Sequence, residues 1–418
     1  MFFKTSVGAT LIASVLIPGT LVAQNKVEVP KALTFKTAES LLQNNPSLLV
    51  KRLDIDVEKG DVMDAEKYPN PSFSFTADGM VFDSARGSWF DRLQPEFLLR
   101  QELPISGRLE KRKRVEMADT EIATIEVQDL ERRLKFDLKR AYYQVVLAQR
   151  DVELAREILS QFQGVVDLNR RRFEAGEISG AELRRSEAAE YRFFTEVLNA
   201  EVRLQNARTD LLALVGSQKL DQDFTATDDF DQRFVPPPRA KLKEIALRER
   251  PDLAAARARV SQAGMRIDLE SARRKPNVNL FGGYKRELDS NGPIAGVELP
   301  LFIFNRNQGS IHRRQAEQRQ QENRVLFRRI LVLRELEIAV QQLEGSRKSI
   351  QALESEYLEK ARQAREITES SYRLGEASLI EFLDAERTYS ETMILYNRTL
   401  YDFQISRSRL EMAIGEDL

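Results

Sequence analysis

No proline interrupts residues 105–235 or 301–418, while the stretches before each tract carry prolines at 30, 46, 69, 71, 95 and 104, and at 236–238, 251, 276, 293 and 300. Both tracts are rich in Glu, Arg, Ala, Leu and Gln, which lose little on entering a helix. Each breaks once, at Phe173-Glu174-Ala175-Gly176-Glu177 and at Tyr372-Arg373-Leu374-Gly375-Glu376. Each tract therefore reads as a long helical hairpin turning at Gly176 or Gly375. The outgoing arms, 108–172 and 308–371, span roughly 65 residues, or about 95–100 Å at 1.5 Å per residue. Arms of that length do not fit around a globular core.

The rest of the pattern is also stated twice. Pro46-Ser47-Leu48 is answered by Pro251-Asp252-Leu253, and Pro69-Asn70-Pro71 by Pro276-Asn277-Val278. Glu102-Leu103-Pro104 is answered by Glu298-Leu299-Pro300, and Leu214-Val215-Gly216 by Ala413-Ile414-Gly415. These pairs and the glycine turns recur in one order at offsets of about 200 residues, the mark of an internal duplication. The chain divides into an export signal (1–23), a first repeat (24–216), an acidic linker (217–239) and a second repeat (240–418). Two copies of one unit suggest a pseudo-symmetric ring or channel.

The arms carry coiled-coil seams. Tyr389, Met393, Tyr396, Leu400, Phe403, Leu410 and Ile414 follow alternating three- and four-residue steps, with Arg407 as the charged interruption. Leu336, Val340, Leu343, Ile350, Leu353 and Tyr357 do the same in the outgoing arm. Short helices are predicted at 38–44, 47–67, 242–250 and 253–274.

The proline-bounded segments alternate with period two. Ser72-Phe73-Ser74-Phe75-Thr76 places both rings on one face; Phe97 and Leu99 oppose Glu96, Arg100 and Glu102; Val278, Leu280 and Tyr284, then Ala295, Val297 and Leu299, continue the pattern. Four such segments of about 8–10 residues are long enough to cross a bilayer as tilted strands; small soluble hairpins are the alternative. Loops around 78–91 and 285–292 join them.

Charge and composition exclude several classes. The formal net charge is −1 with 31% charged residues of both signs interleaved, which leaves no basic stripe for nucleic acid. With no cysteine and one histidine, no disulfide framework, Cys/His metal set or N-terminal lipidation is expected. His312 reads as a helix-surface residue, and Lys111–Arg114 as a solvated basic run, with contact to anionic headgroups as the alternative. No phosphate loop or nucleophile–base pair is present, so neither enzyme activity nor a cofactor is expected. Lys4, the apolar run 7–17 and Thr20-Leu21-Val22-Ala23 read as a secretory signal cut after Ala23.

Four strands cannot close a barrel, and an open edge cannot sit in lipid with its backbone groups unpaired. Two chains would give eight strands with a filled interior; three would give twelve and an open lumen. The fold expected is mainly α with a membrane β-barrel portion: duplicated helical hairpins forming an α-barrel, and four transmembrane strands per chain in a trimeric, 12-stranded barrel.

In the paired starts Asn45-Pro46 and Arg250-Pro251, the Pro69-Asn70-Pro71 strand start, the two Glu-Leu-Pro exits and the two glycine tips, the chain resembles the TolC family of outer-membrane efflux ducts from Leu33 to Ile414. The resemblance implies a homotrimer in the outer membrane with a periplasmic extension. It also implies a periplasmic adaptor and an inner-membrane pump of the RND type as partners, outer-membrane lipid around the barrel, and passive conduction. It implies adaptor contact at Phe173, Gly176, Glu177, Arg373, Leu374, Gly375 and Glu376. It further implies anionic gate rings from Glu381 and Asp384, three apart on one helical face, with Glu182 as the first-half counterpart; solvated helix carboxylates are the alternative. Arg184 and Arg185 depart from the family pattern and could pair with these acids across the tip. The run Gln101-Glu102-Leu103-Pro104-Ile105-Ser106-Gly107 resembles the branch serving heavy-metal cation pumps; drugs or an exported protein remain alternative cargo, as does a periplasmic coiled-coil scaffold without a pore.

Overall fold

The computed structural model describes residues 28–78, 93–287 and 290–418; the expected export signal and most of the first strand–strand loop lie outside them. In chain order the elements are β1 (Ala32–Leu33), α1 (Phe35–Leu41), α2 (Pro46–Ala65), β2 (Ser72–Asp78), β3 (Gln94–Leu103), α3 (Arg108–Glu174) and α4 (Gly180–Leu214). There follow β4 (Thr225–Ala226), α5 (Arg239–Glu249), α6 (Pro251–Ala272), β5 (Val278–Glu287), β6 (Ser290–Glu298), α7 (Gln308–Ala352), α8 (Leu358–Leu374) and α9 (Leu379–Ile414).

The outgoing arm α3 is a single helix of 67 residues. Its counterpart is divided by a π turn at Leu353–Tyr357. One residue is added there to the hydrogen-bonded ring, so the apolar seam rotates. Leu336, Val340, Leu343, Ile350 and Leu353 are buried as the heptad predicts, but Tyr357 is 61% exposed. The expectation that Tyr357 continues the seam is corrected: the turn carries it off the packed face. In α9, Tyr389, Leu400, Phe403, Leu410 and Ile414 are buried, and the charged interruption finds local partners. Arg407 pairs with Asp231 of the interhairpin segment at 2.9 Å and with Glu411 at 3.2 Å, and its guanidinium lies over the Phe234 ring.

The upper ends of the two hairpins are clasped alike. Asn45 caps α2, accepting from Leu48 N–H, and its Nδ2 donates to the carbonyl of Leu214 at 2.7 Å. Arg250, ahead of α6, donates to the carbonyl of Ala413 at 3.2 Å. The chain then passes so near Asn44 that a Cβ on Gly216 would lie 2.5 Å from its carbonyl oxygen, at φ +76°; only glycine fits both the conformation and the gap. Arg250 is 2% exposed and is bound by Asp252 and Glu335, each at 2.6 Å. Burial alone would raise the Asp252 carboxyl, but the hydrogen bonds and charge of Arg250 outweigh it and hold it below the ordinary carboxylate range.

Residues 217–238 form no helix and run across both hairpins. β4 pairs in parallel with β1, Asp228 accepts from Tyr142 Oη and Phe35 N–H at 2.6 Å each, and Phe230 packs against both upper cores.

The four long strands form one antiparallel sheet in the order β2-β3-β5-β6. Pairings Phe75↔Phe97↔Tyr284↔Pro293 and Phe73↔Leu99↔Gly282↔Ala295 place one apolar set on one face. Phe73, Phe75, Phe97, Leu99, Tyr284 and Val297 of that face are all exposed. Ser74, Glu96, Arg100, Glu102 and Lys285 take the other, as strict alternation requires. Among the described residues, strands β2 and β6 each lack a neighbour on one side.

Candidate functional site

Both hairpin ends reverse through a left-handed glycine, Gly176 at φ +77° and Gly375 at φ +83°. In each, the next amide returns to the preceding helix: Glu177 N–H to Arg172 O and Glu376 N–H to Ser371 O, both 2.8 Å, satisfying carbonyls the helix end leaves free. Each return helix is capped by serine, Ser179 on α4 and Ser378 on α9. Sequence spacing alone located these turns.

The two tips are bonded to each other. Arg172 of α3 donates to the carbonyls of Tyr372 at 3.2 Å and Arg373 at 2.7 Å, and its guanidinium lies 5.9 Å from the Tyr372 ring centre. Tyr372 Oη donates to Asn169 Oδ1 at 2.8 Å, with both residues buried. Burial pushes the Tyr372 phenol upward. Tyr372 also stacks on Phe382, which stacks on Phe162. Further up, Arg365 donates to Glu386 Oε2 at 2.8 Å and to Gln161 of α3, and lies over Tyr389. Burial raises the Glu386 carboxyl against the opposing pull of Arg365.

The residues predicted for adaptor contact surround this junction. Phe173 and Leu374 are 45% and 74% exposed apolar side chains. Glu177 lies 3.8 Å from Arg172, and Arg373 pairs with Glu369 at 2.8 Å; Glu376 is exposed. The predicted gate acids divide. Glu381 and Asp384 share a groove of about 510 Å³ between α8 and α9 with Ile367, Thr368 and Glu376. Each has a local partner. Glu381 accepts from Ser378 N–H at 2.7 Å, completing a capping box, and bonds to the Ser378 backbone and hydroxyl hold its carboxyl below the usual range. Asp384 pairs with Arg387 at 2.7 Å. Glu182 lies on the other hairpin, its backbone N–H held by Ser179 Oγ. Arg184 pairs with Glu187 in its own helix, and the cross-tip cation is Arg172. Sequence reading missed Arg172, Asn169 and Arg365. The signal for two of them was present: Asn169 follows Phe162 by one heptad, and Arg365 precedes Tyr372 by one. His312 is exposed, as expected.

The description "Outer membrane efflux protein" belongs to the family whose model matches residues 37–217 and 242–416. The chain belongs to the outer membrane efflux protein family. Its efflux relatives include the cobalt-zinc-cadmium resistance protein CzcC of Cupriavidus metallidurans, 27% identical over 93% of this chain and 91% of that protein. The cation efflux system protein CusC of Escherichia coli K12 is 24% identical over 89% and 83%. In fold, the efflux protein is similar to a crystal structure of CusC, with TM-score 0.75 and 20% identity over 91% of this chain and 92% of that one. It is also similar to the outer-membrane channel OprN, with TM-score 0.74 and 17% identity over 91% and 89%. The efflux protein is thus an outer-membrane channel component of an efflux system, not a periplasmic scaffold. Its mainly α architecture is the one expected.

Proposed function

We propose that three copies pool their strands into a 12-stranded barrel. Their helical hairpins would continue it as a tube, giving a passive duct for heavy-metal cations delivered by an inner-membrane RND-type pump through a periplasmic adaptor. The observation that carries this reading is the sheet: it has two unpaired edges and an exposed apolar face, and such a sheet enters lipid only when its edges close on other copies. The duct has no chemistry of its own and is held in the outer membrane by its barrel. The two halves, 24–216 and 240–418, supply pseudo-equivalent sixths of the ring wall. The joined tips are its resting closure, with Phe173, Leu374 and the glycine turns as the surface the adaptor meets. Metal cargo is favoured by the relation to CzcC, whose name states cobalt, zinc and cadmium resistance.

Two measurements test this. In a planar bilayer, the purified protein should give stable cation-preferring openings, and Glu381→Gln with Asp384→Asn should reduce that preference. The Gln side chain still serves the capping box, so loss of selectivity would report the ring charge; an unchanged preference would sink the acidic gate. For the cargo, deletion of the gene should lower tolerance to cobalt, zinc and cadmium but not to organic drugs. The opposite pattern would remove the metal assignment and leave the duct.

A further inference from the structure

Beneath the sheet, where strands meet helices, lies a cleft of about 650 Å³ whose lining includes Lys67, Tyr68, Glu102, Arg108, Arg112 and Arg273. Lys67, Arg108, Arg112 and Arg273 face only two carboxylates on its wall, Asp64 and Glu102. Glu102 is already engaged by Asn277 Nδ2, and Arg273 by Glu270 at 2.8 Å. The basic run at the start of α3 divides here. Lys113 pairs with Glu66 and Arg114 with Glu110, Lys111 donates to the Asp268 carbonyl, and Arg112 turns into the cleft.

Buried polar atoms without hydrogen-bond partners gather at the same place. Among the described residues, Arg108 Nε and Asn277 Oδ1 are such atoms, and both residues line the cleft. Buried donors are ordinarily satisfied, and the orphaned Arg108 Nε points to an absent acceptor. The rim supplies an apolar complement. Tyr68 is 64% exposed, and Gln101, on the apolar face of β3, donates to the Pro69 carbonyl at 2.8 Å, while Glu102 reaches the cleft from the polar face. Past β6, Leu301, Ile303 and Phe304 are 74%, 61% and 90% exposed, as interfacial anchors are.

We propose that this cleft binds the phosphate headgroup of an anionic phospholipid in the periplasmic leaflet of the outer membrane, with Arg108 and Arg112 as the phosphate donors. A guanidinium pair suits a phosphodiester through paired N–H bonds, and the cleft sits at the level where headgroups lie. The inference rests on the strands being membrane-inserted; recovery of each variant in the detergent-extracted membrane fraction reports that separately.

Native mass spectrometry of the detergent-solubilised full chain, titrated with phosphatidylglycerol, is the test. Arg108→Gln with Arg112→Gln should weaken phosphatidylglycerol binding about 30-fold. Lys113→Gln with Arg114→Gln, which removes cations already paired, should leave it unchanged. If the double Arg108/Arg112 variant does not reach the membrane, Arg112→Gln alone should still weaken binding several-fold. Equal binding by wild type and the Arg112 variants would overturn the site. Displacement of the lipid by millimolar inorganic phosphate would make it a free-phosphate site and overturn the lipid assignment.

Discussion

Arg365→Ala is expected to destabilise the lower end of the hairpins by roughly 3–5 kcal/mol, the cost of leaving one member of a buried ion pair alone. The side chains of Arg365 and Glu386 are 8% and 2% exposed, so water cannot take over the solvation of the abandoned carboxylate. Glu386 Oε1 already lacks a hydrogen-bond partner, leaving Arg365 as the main compensation for its charge. Arg365→Met with Glu386→Leu should recover most of the loss, since a well-packed apolar pair serves about as well as a buried ionic one. The pH dependence has a definite sign. Burial raises the Glu386 carboxyl even with Arg365 present, and without it the shift grows. An acid with a raised folded pKa contributes stability below its unfolded pKa and loses it as pH rises through the folded value. Arg365→Ala should therefore be more stable at pH 5 than at pH 7.5, by thermal unfolding or by hydrogen exchange of α8 and α9. A variant equally weak at both values would show that lost packing on Tyr389, not the stranded charge, sets the cost.

Arg172→Ala combined with Tyr372→Phe should raise conductance by opening the tip. The change removes two bonds from a charged donor to carbonyls and one neutral bond to Asn169. At about 1.5–3 kcal/mol for each charged bond and about 1 for the neutral one, the closed state loses roughly 4–7 kcal/mol, a shift of about 10³–10⁵ in the closed-to-open ratio. The ring of Tyr372 remains as phenylalanine, so its stack on Phe382 survives and the effect isolates the polar lock. Arg184→Ala, which removes a pair internal to α4, serves as the control. Wild-type conductance in the double variant would mean that these bonds do not hold the duct shut.

The hairpins were legible because their causes are local. Proline spacing, helix-forming residues and two glycine turns fix the arms, and strict alternation fixes which face of each strand is apolar. The π turn at Leu353–Tyr357 was not legible, since no proline or glycine marks it and it answers to packing between arms. The lock at the tips was hidden for another reason. Arg172 and Tyr372 sit 200 positions apart, and nothing in either segment states that they meet. Glu381 and Asp384 were singled out by the family resemblance, and in the single chain Ser378 and Arg387, each three residues from its acid, already engage them.

The order β2-β3-β5-β6 leaves each copy with one bare edge from each half of the chain. In a closed ring of identical copies, every edge is completed by a neighbour, so a flaw in β2 or β6 spoils the seam of whichever subunit lies beside it. In the proposed ring of three copies, the fraction of rings free of the flaw falls as the cube of the intact share when intact and flawed gene products are made together. In that ring a lesion on these two strands is expected to act as a dominant one, whereas a lesion confined to a single helical arm need not.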